Sequence, residues 1–242
     1  MRFFLFSSAD PAESEKGRIT RLARVREAVF GAQDGLISTV ALVSSVFGAA
    51  TDNFLIIVAG LAGALGGMIS MAAGSFLSSR AQRELYEKEI RDAEKKLEKD
   101  PQERINKLTS LYVEEGLNES DATSISTRLA SDHQVFLNTL IEKELGLSPE
   151  LPGSPIKDAV TMGTAFVGAA FVPIAPYFFL QGFSAFVTSI VAAGLALFFV
   201  GVGKSRITNR PAIRSGLEIL FIGATAGNIG YALGTIVPNL LQ

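Results

Sequence analysis

The sequence predicts an all-α, polytopic membrane protein with five transmembrane helices and a cytosolic helical bundle inserted between the second and third. Hydrophobic residues make up 48% of its 242 residues, while most of the charged residues lie in one central block. A helix needs about 20 residues to span a hydrocarbon core of about 30 Å. Five apolar runs reach that length, at residues 29–50, 54–79, 158–180, 183–203 and 216–237.

Basic residues predict the orientation of these helices. They occur before the first run, after the second (Arg80 and Arg83) and between the fourth and fifth, whereas residues 51–53 and 181–182 contain none. Because basic loops stay in the cytosol, we expect a cytosolic N-terminus and an extracytosolic C-terminus. The predicted organisation is a basic cytosolic arm (1–28), two membrane helices (29–79), a cytosolic helical domain (80–157) and three more membrane helices (158–242).

The central block predicts three or four helices, the first a continuation of the second membrane helix through about residue 99. Side chains that cap helix N-termini and glycines that end helices mark the others. The start signals are Asp100 with Pro101, then Ser120 or Asp121, then Asp132; the stop signals are Gly116 and Gly146. A proline-rich linker with Pro149, Pro152 and Pro155 should lead back to the membrane.

The third run contains Pro173 and Pro176, which predict a kink or break near its outer third, since proline lacks a backbone donor. Broken helices line many transport sites. Two prolines near a helix end can equally shape the exit into the turn at residues 181–182. The sequence leaves both interpretations open.

A candidate ion or proton pathway combines Asp34 in the first run with Met68 and Met71 in the second. Counted inward from Arg26 and Arg80, Asp34 and Met71 lie at one depth if the helices are antiparallel, roughly 12–14 Å from that face. An ionisable residue at this depth marks an ion or proton pathway by default. The alternative is an Asp close enough to the headgroups to stay solvated, but the methionines at its level favour the pathway.

The central block offers further carboxylates at helical spacing: Glu84, Glu87, Glu94, Glu142 and Glu144. Carboxylates three or four residues apart on a helix can share a hard divalent cation. Lys88, Lys95 and Lys96 lie among them, however, and mixed charges are typical of a solvated helix face. Spacing alone favours the solvated face.

The sequence resembles the vacuolar iron transporter family over nearly its whole length. The matching stretches, in order, are residues 26–36 (REAVFGAQDGL), 68–74 (MISMAAG), 83–86 (RELY), 144–147 (ELGL) and 173–177 (PIAPY). Each stretch alone is a weak indicator of the family. Together, in this order and with the family's five-helix layout, they are a specific one. The family includes the yeast vacuolar iron and manganese importer and plant nodulin-like proteins.

The resemblance implies a homodimer that exports Fe²⁺ or related divalent metals from the cytosol in exchange for protons. It also implies that Asp34 and Met71 form the membrane metal site and that cytosolic glutamates, here Glu84, Glu87 and Glu144, collect metal. The chain departs from the pattern where relatives have further metal-site side chains: Gly63, Ala93, Lys95, Lys96, Leu140 and Ile141. Gly63 lies in the second membrane helix, and the other five departures deplete the cytosolic site.

We therefore expect a transporter of Fe²⁺ or Mn²⁺ with no tightly bound cofactor, in contact with lipid and binding no nucleic acid. The alternative is a non-transporting scaffold or metal sensor that acts through the cytosolic domain. An enzyme is not expected, because the sequence lacks a nucleophile triad or phosphate loop and has a single histidine. The short N-terminal arm favours a prokaryotic plasma membrane, with the vacuolar membrane as the alternative.

Overall fold

The computed structural model describes residues 15–146, 154–208 and 210–241, which form nine α-helices and no strand. Leu147, Pro149, Pro152 and residues 1–14 of the predicted arm lie outside the described residues. The helices are α1 (Glu15–Ala49), α2 (Asn53–Lys99), α3 (Pro101–Glu114), α4 (Glu119–Leu129), α5 (His133–Leu145), α6 (Pro155–Ile174), α7 (Pro176–Phe179), α8 (Gly182–Thr208) and α9 (Ala212–Leu241). The described part of the chain is all-α, as predicted.

Four helices contain segments long and apolar enough to cross a membrane: Arg24–Ala49, Asn53–Lys99, Gly182–Arg206 and Ala212–Leu240. They include four of the five predicted runs. The protein is thus an integral, multi-pass membrane protein. Helix α1 starts well before residue 29, because the arginines, alanines and leucines of the arm are good helix formers and extend the membrane helix.

The third predicted run is divided into two helices. Helix α6 ends at Ile174, and the single turn of α7 starts at Pro176. Proline 176 cannot donate to the carbonyl four residues earlier, which explains the break at the predicted place. The Ser189 hydroxyl on α8 donates to the Pro173 carbonyl oxygen over 2.5 Å, so one carbonyl near the break has a side-chain partner. Since α6 is not among the four spans, the fifth transmembrane helix stays a prediction.

The chain divides into two compact units, one formed by residues 1–76 and 155–242 and the other by Leu77–Ser154. We call them the membrane unit and the helical unit. In the membrane unit, α1 packs against α6, α8 and α9. At two glycines of α1, the backbone of α1 lies directly against the backbone of α6. If Gly31 had a Cβ, that atom would lie only 2.5 Å from the Met162 carbonyl oxygen. A Cβ on Gly35 would likewise overlap the Phe166 carbonyl oxygen.

Asn53, at the start of α2, connects α2 to the turn between α7 and α8 by hydrogen bonds. Its side-chain amide donates to the Tyr177 and Leu180 carbonyl oxygens over 3.1 and 2.6 Å. Its side-chain oxygen accepts from the Gly182 backbone amide over 3.3 Å. One side chain therefore satisfies three backbone groups in and beside the turn between α7 and α8.

The helical unit follows most of the predicted start and stop signals. Asp100 caps α3 by accepting from the Glu103 amide, and Asp132 caps α5. Glycines 116 and 146 take positive φ values of 104° and 63° at the ends of α3 and α5. The predicted start of α4 was wrong by one or two residues. Asn118 is the cap, because its side-chain oxygen accepts from the Asp121 amide.

A small apolar core holds the helical unit together. Leu97, Leu108, Phe136, Leu137, Leu140 and Ile141 are all at most 4% exposed. Beside this core lies an ion pair that the sequence did not reveal. The Arg104 guanidinium on α3, with a 9% exposed side chain, donates to both Glu144 carboxylate oxygens over 3.1 and 3.3 Å. Because Arg104 is buried, this pair orients α3 against α5 and is part of the fold.

Candidate metal site

Asp34 lies in the middle third of the membrane-spanning part of α1, one residue before Gly35, and its side chain is half-buried. Among the residues described, none donates a hydrogen bond to its carboxylate. The nearby Ser38 hydroxyl donates instead to the Asp34 backbone carbonyl over 2.7 Å. A carboxylate in a membrane helix without a donor is costly, so its oxygens are available to a cation or a proton.

Two contacts define the register of α1 against α2. The Ser75 hydroxyl on α2 donates to a carboxylate oxygen of Glu27 on α1 over 3.3 Å. Further along the pair, Leu42 Cδ2 lies 2.5 Å from the position that a Cβ on Gly63 would occupy. One contact lies on each side of Asp34, and the residue numbers rise along α1 as they fall along α2. The two helices are therefore antiparallel.

This register puts Asp34 level with the two methionines. From the first contact, seven residues forward on α1 and seven back on α2 lead to Asp34 and Met68. From the second contact, eight residues back on α1 and eight forward on α2 lead to Asp34 and Met71. Both methionines are partly buried and pack against the main apolar core of the membrane unit. One carboxylate and two thioethers thus share one level.

Gly63, Gly67 and Met71 lie at intervals of four along α2, and small residues at this spacing often let helix backbones approach closely in membranes. Here side chains fill both glycine positions instead, Leu42 of α1 at Gly63 and the Phe166 ring of α6 at Gly67. Close backbone approach occurs along α1 instead, where Gly31 and Gly35 meet backbone atoms of α6.

The candidate glutamates of the helical unit are mostly paired with arginine. Arg80 Nε donates to Glu84 over 2.7 Å, and both side chains are 60% exposed. Arg83 Nε donates to Glu87 over 3.1 Å. These are i, i+4 pairs on a solvated helix face, the interpretation that spacing favoured.

Of the other three carboxylates, Glu142 is exposed, and Glu94 and Glu144 lie in different surroundings. Glu94 is exposed, and Glu144 holds the buried Arg104. No group of three or more His, Cys, Asp or Glu side chains that could hold a metal ion occurs within the described ranges. The structure therefore does not assemble Glu84, Glu87, Glu94 and Glu144 into one site, and their metal binding stays a prediction.

Comparison with known proteins identifies the family. The VIT family model matches residues 25–235, from the membrane-spanning part of α1 through most of α9. The chain belongs to the VIT family. Members of this family are transporters and not enzymes, which confirms the prediction from the sequence that this protein is not an enzyme.

Similar proteins match along almost the full chain. Vacuolar iron transporter 1 of Tulipa gesneriana is 29% identical over 229 residues, covering 94% of this chain and 93% of the relative. Vacuolar iron transporter 1 of Arabidopsis thaliana is 28% identical over 216 residues, with 89% and 86% covered. The vacuolar iron transporter of Toxoplasma gondii is 26% identical over 223 residues, covering 88% and 74%.

Sequence reasoning missed several residues that shape the site. Ser75, Gly163 and Phe166 connect α1, α2 and α6 at or near the level of Asp34. The sequence placed Asn53 in the polar turn at residues 51–53, and it predicted no role for Arg104. Two polar residues gave a usable signal: Asn53 directly precedes an apolar run, and Arg104 lies four residues before Leu108 on the apolar side of α3.

Proposed function

We propose that this protein moves Fe²⁺ or Mn²⁺ out of the cytosol across the membrane in exchange for protons. The ion binds at Asp34 together with Met71 and Met68. Five spanning helices, with α6 and α7 as the third, carry the path, and residues 80–157 face the cytosol. The membrane is either a prokaryotic plasma membrane or a vacuolar membrane, and the names of the relatives refer to the vacuole. In either membrane the ion leaves the cytosol.

The observation that carries this proposal is that Asp34, Met68 and Met71 lie at the same depth along the antiparallel helices α1 and α2. Among the described residues, none donates a hydrogen bond to the Asp34 carboxylate there. The relatives are named as iron transporters, which supports iron as cargo. The donor chemistry agrees with that name. Fe²⁺ and Mn²⁺ accept a mixture of carboxylate and thioether ligands, whereas Mg²⁺ and Ca²⁺ bind oxygen and avoid sulfur.

Proton exchange follows from the same carboxylate. A metal ion binds the ionised form of Asp34, so a protonated Asp34 must release its proton when metal binds. When metal leaves on the other side, a proton neutralises the carboxylate and removes the cost of a bare charge in the membrane. A proton gradient directed into the cytosol would then drive the metal outward.

A second copy of the chain is proposed to complete the path. Helix α2 exposes a small-residue face with Gly66, Ser70 and Gly74 at intervals of four, and a Cβ on Gly66 or Gly74 would meet no atom within 4 Å. Ile69 beside them is 64% exposed. Such small-residue faces support close helix pairing in membranes. A homodimer formed there would bring two copies of the Met68–Met71 level together.

Transport into proteoliposomes tests the proposal. Protein with and without Asp34→Asn is reconstituted, a pH gradient is imposed, and Fe²⁺, Mn²⁺, Co²⁺ and Zn²⁺ fluxes are compared. We expect flux that requires both the gradient and Asp34. Normal flux in the Asp34→Asn protein would refute the assigned site, and flux that ignores the gradient would refute proton exchange.

The second candidate function is a scaffold or metal sensor that acts through the helical unit. It is favoured by the ion pairs of Glu84, Glu87 and Glu144 with arginine, which make these side chains part of a folded surface. Under this hypothesis, dimeric and folded protein would show no flux of any metal. The same reconstitution experiment therefore separates the two functions.

A further inference from the structure

Gly163 of α6 touches the helix that carries the two methionines. A Cβ on Gly163 would lie 3.1 Å from the Ala72 Cβ and 3.5 Å from both Met68 Cγ and the Met68 carbonyl oxygen. The first distance is shorter than ordinary van der Waals contact. An added methyl group would therefore push this part of α2 away by a few tenths of an ångström.

The other side of α6 cannot move to make room. There α6 lies against Gly31 and Gly35 of α1, where its own carbonyl oxygens at Met162 and Phe166 meet the α1 backbone. Backbone atoms in two packed helices have no rotamer to change. Helix α6 therefore packs against both the helix that carries Asp34 and the helix that carries Met68, and it cannot shift toward α1 when a methyl group is added on its α2 side.

We propose that Gly163 is a positioning residue that sets where the Met68 thioether lies relative to Asp34, and thereby the preference of the site for softer over harder divalent ions. This inference rests on the proposed transport function and names a residue that controls its selectivity. The sulfur contributes most to ions such as Co²⁺ and Fe²⁺ and less to Mn²⁺, which prefers oxygen ligands. Displacement of Met68 therefore weakens binding of the softer ions first.

The test measures the ratio of Co²⁺ to Mn²⁺ flux in proteoliposomes for the full-length protein. Gly163→Ala should lower this ratio by about threefold, since sub-ångström displacements of a binding group change rates several-fold. Met68→Leu keeps the volume and removes the sulfur, so it should lower the ratio further in the same direction. Gly168→Ala is the matched control in α6, because a Cβ there meets no atom within 4 Å, and the ratio should not change.

A compensating variant separates spacing from a general effect of losing a glycine. The double variant Gly163→Ala with Ala72→Gly moves one methyl group from α2 to α6 and keeps the number of methyl groups in the contact constant. It should restore the wild-type ratio. An effect of losing the glycine that does not arise from this contact would not be repaired this way, and melting temperatures of all variants in detergent show whether each is folded.

Three results would overturn the inference. They are an unchanged ratio in Gly163→Ala, an unchanged ratio in Met68→Leu, and a double variant that stays as altered as Gly163→Ala. Flux that still depends on Asp34 in those cases leaves the transport function standing. Absence of any Asp34-dependent flux in the wild type would overturn the function and this inference together.

Discussion

Asp34 in the membrane unit and three candidate glutamates in the helical unit have opposite surroundings. In the helical unit, Glu84, Glu87 and Glu144 each accept from an arginine. In the membrane unit, Asp34 has no donor in the part of the chain that the structure describes. An arginine partner offsets the desolvation of a carboxylate, whereas an unpaired carboxylate in an apolar helix keeps its cost. The difference shows that an ion pair with arginine distinguishes structural carboxylates from candidate metal ligands better than the spacing of carboxylates along a helix does.

The helix contacts differ in the same way. The helical unit is held by interlocking apolar side chains such as Phe136 and Leu140 and by helix caps. The membrane unit relies in addition on backbone contact at glycines, as at Gly35. Association of helices in lipid gains little from burying apolar side chains, so close packing contributes more. Each prediction below tests one side of this comparison.

The largest expected effect is that of Asp34→Asn on transport. Flux should fall by at least about 100-fold, since the proposed site would lose its carboxylate ligand. The melting temperature in detergent should stay equal or rise, because a neutral amide replaces an unpaired carboxylate. A large fall in melting temperature would show that Asp34 is a structural residue.

Breaking the buried ion pair of the helical unit should have the next largest effect. Glu144→Gln leaves the Arg104 guanidinium with Glu103 alone and should lower the free energy of unfolding by about 2–3 kcal/mol. Chemical denaturation of the full chain measures this. Glu103→Gln, at a 65% exposed side chain, is the control and should cost much less. Equal losses would mean that burial of the pair has no influence.

Gly35→Ala tests the backbone contact between α1 and α6. The new Cβ would overlap the Phe166 carbonyl oxygen, so the free energy of unfolding should fall by about 1–3 kcal/mol. Gly168→Ala in α6 is the control, because a Cβ there meets no atom within 4 Å. The control should be neutral or slightly stabilising, since alanine favours helix. A stabilising Gly35→Ala would contradict the contact.

The exposed glutamates should contribute little to transport. The double variant Glu84→Gln with Glu87→Gln should change flux by less than about twofold, because solvated i, i+4 pairs contribute little energy. Flux is measured at metal concentrations below and above the KM. A KM raised many-fold with an unchanged maximal rate would instead support metal collection by these two side chains.

The smallest effect is expected for the exposed pair of Lys143 and Glu115. The hydrogen bond to Glu115 raises the pKa of Lys143. Any stabilisation by this pair is therefore complete below the pKa of lysine in the unfolded chain, about 10.4, and is lost as the pH rises through the pKa in the folded protein. Lys143→Met should therefore leave the pH profile of the melting temperature unchanged between about pH 6 and 9. A difference from the wild type that grows within that range would contradict the assignment.

The sequence by itself determined the membrane character, the helical class and most helix ends. These depend on local properties: the length of apolar runs, the caps Asp100 and Asp132, and glycines with positive φ. It also predicted the break near Pro176 and the common depth of Asp34 and Met71. Depth along a helix follows from residue number alone, since each residue adds about 1.5 Å.

Only the tertiary structure decided which side chains face each other. It paired Arg104 with Glu144, placed the Phe166 ring against Gly67, and set Gly163 against Ala72. These contacts depend on how each helix is rotated about its axis and on how closely it approaches its neighbours. Rotation and approach result from the packing of all neighbouring helices at once, so no single stretch of sequence encodes them.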